Sequence, residues 1–310
     1  MEKRQLYVAI REWLEDYKAN SVKILTYDRL VIAYKTMLRY PIASFGVDAI
    51  DSKAIQRYLN NLVVDGYSLS TIKKQFNLIT AYWKWAMSQG LILVPVYLGV
   101  RLPSADSTGD SETDIQVYSR SEQTRMMEKL RSLEKNQYAA VILMLECGLR
   151  IGEALALEWD DILWSRKAIK VHRTLVRTSS EARTFIQESP KSKTSRRIIP
   201  MSNEVEEILI KLQDKNGISY GLIFSNPRDP SMPYSYSSVE FHVRKLCKIL
   251  DIPYRGLHAF RHTFATNCYE RGCDVKILSK LLGHADVSIT YNTYIHLYGD
   301  ALEEMRKVIG

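Results

Sequence analysis

The stretch RLPSADSTGDSETDIQ, Arg101 to Gln116, divides the 310-residue chain. It is rich in Ser, Thr, Asp and Gly, has no apolar period and follows Pro95 and Pro103, so it reads as an exposed linker. Its charge sets it apart as well. Positions 106–117 carry Asp106, Asp110, Glu112 and Asp114 and no base. Residues 1–105 hold 14 Lys+Arg against 8 Asp+Glu, and residues 118–310 hold 29 against 23. Two bodies of net +6 thus flank a segment of −4 and give the formal +8 of the whole. Two basic bodies on an acidic hinge suit a protein that grips a polyanion with both halves, although basic excess alone is common among metabolic enzymes.

Upstream of the linker the signals are helical. Ser70 stands as an N-cap, and Ile72, Phe76, Ile79, Trp83 and Ala86 follow at helical spacing until Gly90 stops the run. Similar periodicity runs through Tyr7–Tyr17, Tyr27–Leu38 and Lys53–Val64, with Gly66 closing the last. Tyr82, Trp83 and Trp85 could stack on bases, but part of the cluster falls on the apolar stripe, which makes it core. Residues 1–100 therefore form an all-α helical bundle with no catalytic constellation, and 101–117 the linker.

Downstream, residues 118–310 mix both patterns. Helices are expected at Ser121–Leu133, Gln137–Cys147 and Ile151–Leu157. Three β-rich runs follow at Ala168–Arg177, Thr184–Glu188 and Arg196–Pro200, with a turn at positions 190–195 between the last two. Helical pattern resumes at Asn203–Gln213 and continues nearly to the end. The fold class is mainly α with a small antiparallel β-sheet, an α+β domain behind the helical bundle.

Composition removes several classes. With 46% apolar and 25% charged residues, the chain is globular rather than disordered. No apolar run reaches the roughly 18–20 residues of a membrane span. Arg11, Glu12, Glu15 and Asp16 interrupt the start where a signal peptide needs an apolar stretch, which points to the cytoplasm. Cys147, Cys247, Cys268 and Cys273 form no C-x-x-C pair and have no His at zinc-finger spacing, so they read as buried free thiols and no metal site is expected.

Three segments of the second domain carry chemistry. CGLRIGEALAL sets Arg150 and Glu153 at i, i+3, on one helical face, where a carboxylate can orient a guanidinium; alone, the pair reads as a surface ion pair. LHAFRHTFAT repeats the spacing with His258 and Arg261 inside an otherwise apolar helix, a placement that calls for an anionic partner. LLGHADVSITYNTYIHL places His284 after a glycine and Tyr294 ten residues on. Together they fit a phosphodiester. Two arginines fork onto its non-bridging oxygens and stabilise the charge of a phosphorane, two histidines donate or shuttle protons, and a tyrosine hydroxyl attacks phosphorus. The set offers no clustered carboxylates for Mg²⁺, so metal-free transfer to tyrosine is the implied reaction, with no cofactor.

These segments resemble the tyrosine recombinase (phage integrase) family, and the NTY-x-HL ending is most similar to integrases of phages and conjugative transposons. SRSEQTRMMEKL resembles the family's opening helix, and STIKKQFNLITAYWKWAMSQGLI, less specifically, its helical core-DNA-binding (SAM-like) domain. The resemblance implies a C-shaped clamp on double-stranded DNA, with Arg150 and Arg261 on the scissile phosphate and His258 assisting proton transfer. It further implies that His284 bonds the phosphate, Glu153 supports from behind, and Tyr294 forms a 3′-phosphotyrosyl bond while releasing a 5′-hydroxyl. Strand exchange would pass through a Holliday junction in a homo-tetramer assembled on DNA from free monomers, with accessory DNA-bending or directionality proteins. The protein would be bacterial or phage-encoded, cytoplasmic and nucleoid-associated. The family also uses a lysine on the turn between the second and third strands as general acid to the leaving 5′-oxygen. Here ESPKSKTSRRIIP offers Lys191 and Lys193, and S-K-T at the apex favours Lys193.

Two other functions share these residues. A type IB topoisomerase has the same chemistry without exchange between sites, and two basic domains in so short a chain argue against it. A non-catalytic DNA-binding derivative predicts a broken constellation, whereas every position is filled. Among the tyrosines, Tyr269, Tyr291 and Tyr298 flank the candidate nucleophile, and Tyr291 is the serious alternative to Tyr294, three residues upstream on the same helical face. His262 and His296 fall off the key positions and read as structural.

Overall fold

A computed structural model describes residues 4–104, 106–108, 116–132, 136–179, 183–188 and 196–294, without the side chains at 106, 132, 292 and 294. The chain forms two compact units, one of Met1–Thr113 with Arg177–Arg183, the other of Asp114–Val176 with Thr184–Gly310.

Helices α1 (Leu6–Glu12), α2 (Ile24–Met37), α3 (Ser52–Val64) and α4 (Leu69–Ser88) build the first unit. The expected helix at Tyr7–Tyr17 has two geometries, since α1 runs on into a π-helical turn at Trp13–Lys18. Asp51 caps α3 by accepting the Ala54 N–H at 2.7 Å. Ser68, not Ser70, caps α4, accepting the Thr71 N–H at 3.3 Å. Of two serines flanking one leucine, the one with extended backbone satisfies a first-turn N–H; Ser70 already lies inside the helix. Gly66 and Gly90 leave α3 and α4 at φ of +76° and +70°, a conformation that favours glycine. Tyr82 and Trp83 are buried, packed edge to face at 5.5 Å with Trp13 against Tyr82 at 5.8 Å, so this cluster is core. The buried amide of Gln75 is satisfied by the Tyr58 hydroxyl, 2.8 Å from its oxygen.

The second unit is built around α6 (Asn136–Cys147), which follows α5 (Arg120–Ser132). Every residue of α6 from Tyr138 to Leu145 is buried, and the helix is apolar on all sides because neighbours surround it. Those neighbours include α8 (Asn203–Asn216), α9 (Tyr236–Ile249) and α10 (His258–Glu270). The short helix α7 (Ile151–Leu155) follows α6 after a three-residue turn, and α11 (Val275–Leu282) and α12 (Val287–Tyr294) end the described chain.

The β-structure is more divided than one small sheet. The run Ala168–Arg177 breaks at His172 into β2 (Ala168–Val171) and β3 (Arg173–Arg177). Strand β2 pairs antiparallel with β1 (Ile162–Leu163) on one side and β5 (Arg197–Pro200) on the other, with Ile169 opposite Ile199. Strand β3 pairs instead with β4 (Thr184–Glu188). The break has a cause. His172 Nε2 and Arg173 Nη2 converge on the two carboxylate oxygens of buried Asp161 at 2.8 and 2.7 Å, a geometry that strict strand alternation would not allow. A further hairpin, β6 (Ser225–Asn226) with β7 (Asp229–Pro233), interrupts the helical pattern beyond α8. The four cysteines are free, but only Cys147 and Cys247 are buried; Cys268 and Cys273 are partly open. None of the described helices is long and apolar enough to cross a membrane.

Candidate functional site

The site lies in the second unit, where the end of α6, the start of α7, β5, α10 and the α11–α12 turn meet. Gly148 leaves α6 at φ +65°, and a Cβ there would collide with the Phe264 ring on α10. Arg150 follows as the extended residue before α7, and its backbone N–H donates to Glu153 Oε2 at 2.9 Å. The same carboxylate takes the Arg150 guanidinium, Nη1 to Oε1 at 2.8 Å. The i, i+3 pair is therefore formed, but it is no surface pair. Glu153 is buried, while the Arg150 side chain keeps 35% of its surface exposed.

Arg261 comes from α10 and is buried. Its Nη1 donates to Gly148 O at 2.8 Å and its Nη2 to Leu282 O at 2.5 Å, and Nη1 stands 3.9 Å from Glu153. Leu282 O also accepts from Arg150 Nη1 at 3.3 Å, so one carbonyl at the end of α11 holds both guanidiniums. That carbonyl is aimed by Gly283, which turns the chain at φ +66°, and by the His284 N–H, which returns to Ser279 O at 3.1 Å.

His284 is thereby set against Arg261, with its Nε2 3.1 Å from Arg261 Nη2. A guanidinium only donates, so Nε2 accepts, the proton sits on Nδ1, and Nδ1–H donates to buried Thr290 Oγ1 at 2.7 Å. Partial burial first, then the charges of Arg261, Arg150 and Arg197, push the His284 pKa down to about 4. His258, the first residue of α10, is exposed on the rim; what burial it has, with Arg261 and Arg150 close by, lowers its pKa as well. One turn on, His262 packs edge to face against it at 5.3 Å.

Arg150, Glu153, Arg261 and His284 are thus brought into direct contact, with His258 beside them. Tyr294 closes α12, one turn after Thr290; its side chain, like Lys191, Lys193, His296 and Tyr298, lies outside the described residues. Tyr291 is 45% exposed on the same helix, and Tyr269 packs in a separate small cluster at the end of α10. Two participants were not foreseen. Arg197 on β5 clamps Glu153 with both Nη atoms, at 3.0 and 2.8 Å, and Thr290 fixes the His284 tautomer. Arg197 was detectable, because it stands two residues from buried Ile199 and so on the inward face of its strand. Burial alone would raise the Glu153 carboxyl, but Arg197, then Arg150 and Arg261, hold it at about 2. Among the described residues no cluster of three or more His, Cys, Asp or Glu side chains is arranged to hold a metal.

A buried carboxylate ringed by guanidiniums, with one of them half-open and neutral imidazoles at its side, is a cationic cradle for an oxyanion. The phage integrase family model matches residues 117–300. A tyrosine recombinase XerC-like protein of Caldanaerobacter subterraneus is 27% identical over 92% of this chain and 77% of its own. The integrase of Staphylococcus phage L54a is 24% identical over 94% and 88%. Among solved structures, the Tn1549 transposon integrase in complex with transposon right end DNA superposes with a TM-score of 0.82 at 20% identity, covering 99% of this chain and 100% of that one. A lambda integrase tetramer bound to a Holliday junction gives 0.67 at 18%, over 93% and 78%. The chain belongs to the phage integrase family, and it is a tyrosine recombinase, an enzyme of DNA strand breaking and rejoining.

Proposed function

We propose that the chain is a site-specific recombinase of a mobile element, which transfers a DNA phosphodiester to Tyr294 through a 3′-phosphotyrosyl intermediate. The observation that carries this reading is the convergence of Arg150 and Arg261 on one carbonyl and one carboxylate, with His284 set against Arg261 at the foot of the helix that ends in Tyr294. Arg150 and Arg261 bind the scissile phosphate and offset the charge of the phosphorane, and His284, whose Nε2 accepts from Arg261, holds that guanidinium beside the phosphate. His258, neutral near pH 7, accepts the tyrosine proton. Lys193, in the segment before β5, protonates the leaving 5′-oxygen. The energy of the broken phosphodiester is kept in the phosphotyrosine, so a second 5′-hydroxyl reseals the strand without ATP or metal.

Residues 1–100 act as the core-DNA-binding domain and 118–310 as the catalytic domain. Exchange proceeds through a Holliday junction in a homo-tetramer at the nucleoid, assisted by DNA-bending or directionality proteins. The likeness to the Tn1549 integrase in complex with transposon right end DNA supports element ends as substrate. The test is a nicked suicide duplex carrying an attachment site, read by covalent protein–DNA adduct. The wild type is expected to form adduct, Tyr294→Phe to bind DNA without it, and Lys193→Ala to slow cleavage far more than binding. Adduct retained by Tyr294→Phe, or equal loss of binding and cleavage in Lys193→Ala, would refute these assignments. Plasmid relaxation without exchange between two sites would favour a topoisomerase.

A further inference from the structure

Glu153 has more cationic partners than one carboxylate requires. Three arginines surround it, and they are not equivalent. The Arg150 side chain is partly open and its guanidinium reaches Glu153 through Nη1, whereas the Arg197 side chain is 6% exposed and spends both Nη atoms on the two carboxylate oxygens. Its Nε–H donates to Leu281 O at 2.6 Å, so each of its three nitrogens donates within the protein. A Cβ on Gly283 would come within 2.9 Å of Arg197 Nη1, so the guanidinium lies directly beneath the turn that presents His284. Arg197 is therefore placed for internal work rather than for contact with DNA.

The consequence is electrostatic. Without Arg197, the buried Glu153 carboxylate would need Arg150 and Arg261 as counterions, and whatever charge they gave it would be withdrawn from a bound phosphate. With Arg197 clamped to Glu153, that pair is internally neutral. Arg150 and Arg261 then face the site with their charge undiminished, while Glu153 still orients them.

We propose that Arg197 is a positioning residue for phosphodiester transfer, one that neutralises Glu153 on behalf of the two phosphate-binding arginines and steadies the His284 turn from below. This rests on the function proposed above. It also gives β5 a part in the reaction, since Arg197 begins just beyond the segment that holds Lys191 and Lys193.

The experiment compares wild type, Arg197→Met, Glu153→Gln, the double variant and Arg197→Lys on the nicked suicide duplex, with the adduct-forming rate and DNA Kd measured for each. Arg197→Met is expected to slow adduct formation on the order of 10–100-fold, as removal of an outer partner does at metal sites, while Kd changes little. Adding Glu153→Gln should recover a large part of that loss, because the carboxylate that needed a counterion is gone. Arg197→Lys, with charge but no fork, should fall between wild type and Arg197→Met. A residue that only supports the fold would give a double variant slower than either single one. That outcome, an Arg197→Met rate equal to wild type, or a fall in affinity parallel to the rate would overturn the proposal. If Arg197→Met does not fold, Arg197→Lys with and without Glu153→Gln makes the same comparison. A wild type that forms no adduct would overturn the proposed function itself, whereas adduct with no effect of Arg197 overturns this role alone.

Discussion

Replacing Thr290 by Val tests how His284 is held. The side chains have nearly the same shape, and position 290 is 1% exposed, so the change removes one acceptor and little else. The imidazole cannot adapt by moving its proton. An Nε2–H would point at Arg261 Nη2, 3.1 Å away and itself a donor, while Nδ1–H now faces a methyl group. One buried N–H is left unpaired, at a cost of about 1–3 kcal/mol. If that cost appears as loss of His284 from its working position, adduct formation on the nicked suicide duplex slows by about 5- to 160-fold. DNA affinity should hold, because Arg150 and Arg261 keep their bonds to Leu282 O. Thr290→Ser retains the hydroxyl and should recover most of the rate. Cleavage by Thr290→Val at the wild-type rate, or Thr290→Ser as slow as Thr290→Val, would refute the reasoning.

Gly152→Ala should destabilise the second unit. The new Cβ would overlap the Tyr236 hydroxyl and stand 2.7 Å from Leu175 O, a backbone atom that cannot step aside. Overpacking of this kind costs about 1–3 kcal/mol, so thermal melting should fall by roughly 2–12 °C, and an unchanged midpoint would show that the strand gives way freely. Acid should weaken the fold through two histidines. His262 and His284 have pKa values of about 4 against an ordinary 6.5. Above pH 6.5 neither folded nor unfolded chain is charged at these rings and the full stability is present. Below it the unfolded chain gains protons that the folded one refuses, so stability falls as pH drops from 6.5 to 4. Both rings are partly solvated, which limits the loss to about 1–2 kcal/mol each. Glu153, at about 2, keeps its ion pairs across that window. Denaturant melts at pH 7, 5.5 and 4.5 check this, and a midpoint that is flat over that range would contradict it.

The sequence was most legible where the deciding contacts are local. The helices follow from a 3.6-residue apolar period, and Arg150 with Glu153 or His258 with Arg261 are visible because i, i+3 neighbours share a face wherever a helix forms. The strands were harder. Ala168–Arg177 has the composition of one strand, and what divides it is Asp161, which draws His172 and Arg173 together from outside the run. Strand β7, Asp-Pro-Ser-Met-Pro, has no alternating apolar pattern, and its end is tied down by the Tyr234 N–H to Phe224 O at 2.8 Å.

In the site, the same distinction separates what binds from what aligns. The residues foreseen by spacing are those with an open face or a paired neighbour on their own helix. Arg197 meets Glu153 across 44 positions, and nothing in ESPKSKTSRRIIP distinguishes it from exposed Arg196 beside it except strand phase. Phase is enough once β5 is known. Ile199 is buried and Ile198 is 45% exposed, so position 197 points inward, and an inward arginine requires a carboxylate. Glu153 is the acid that Arg150 and Arg261 already share. A charge on the buried face of a strand was therefore the available signal that the two-arginine cradle contained a third.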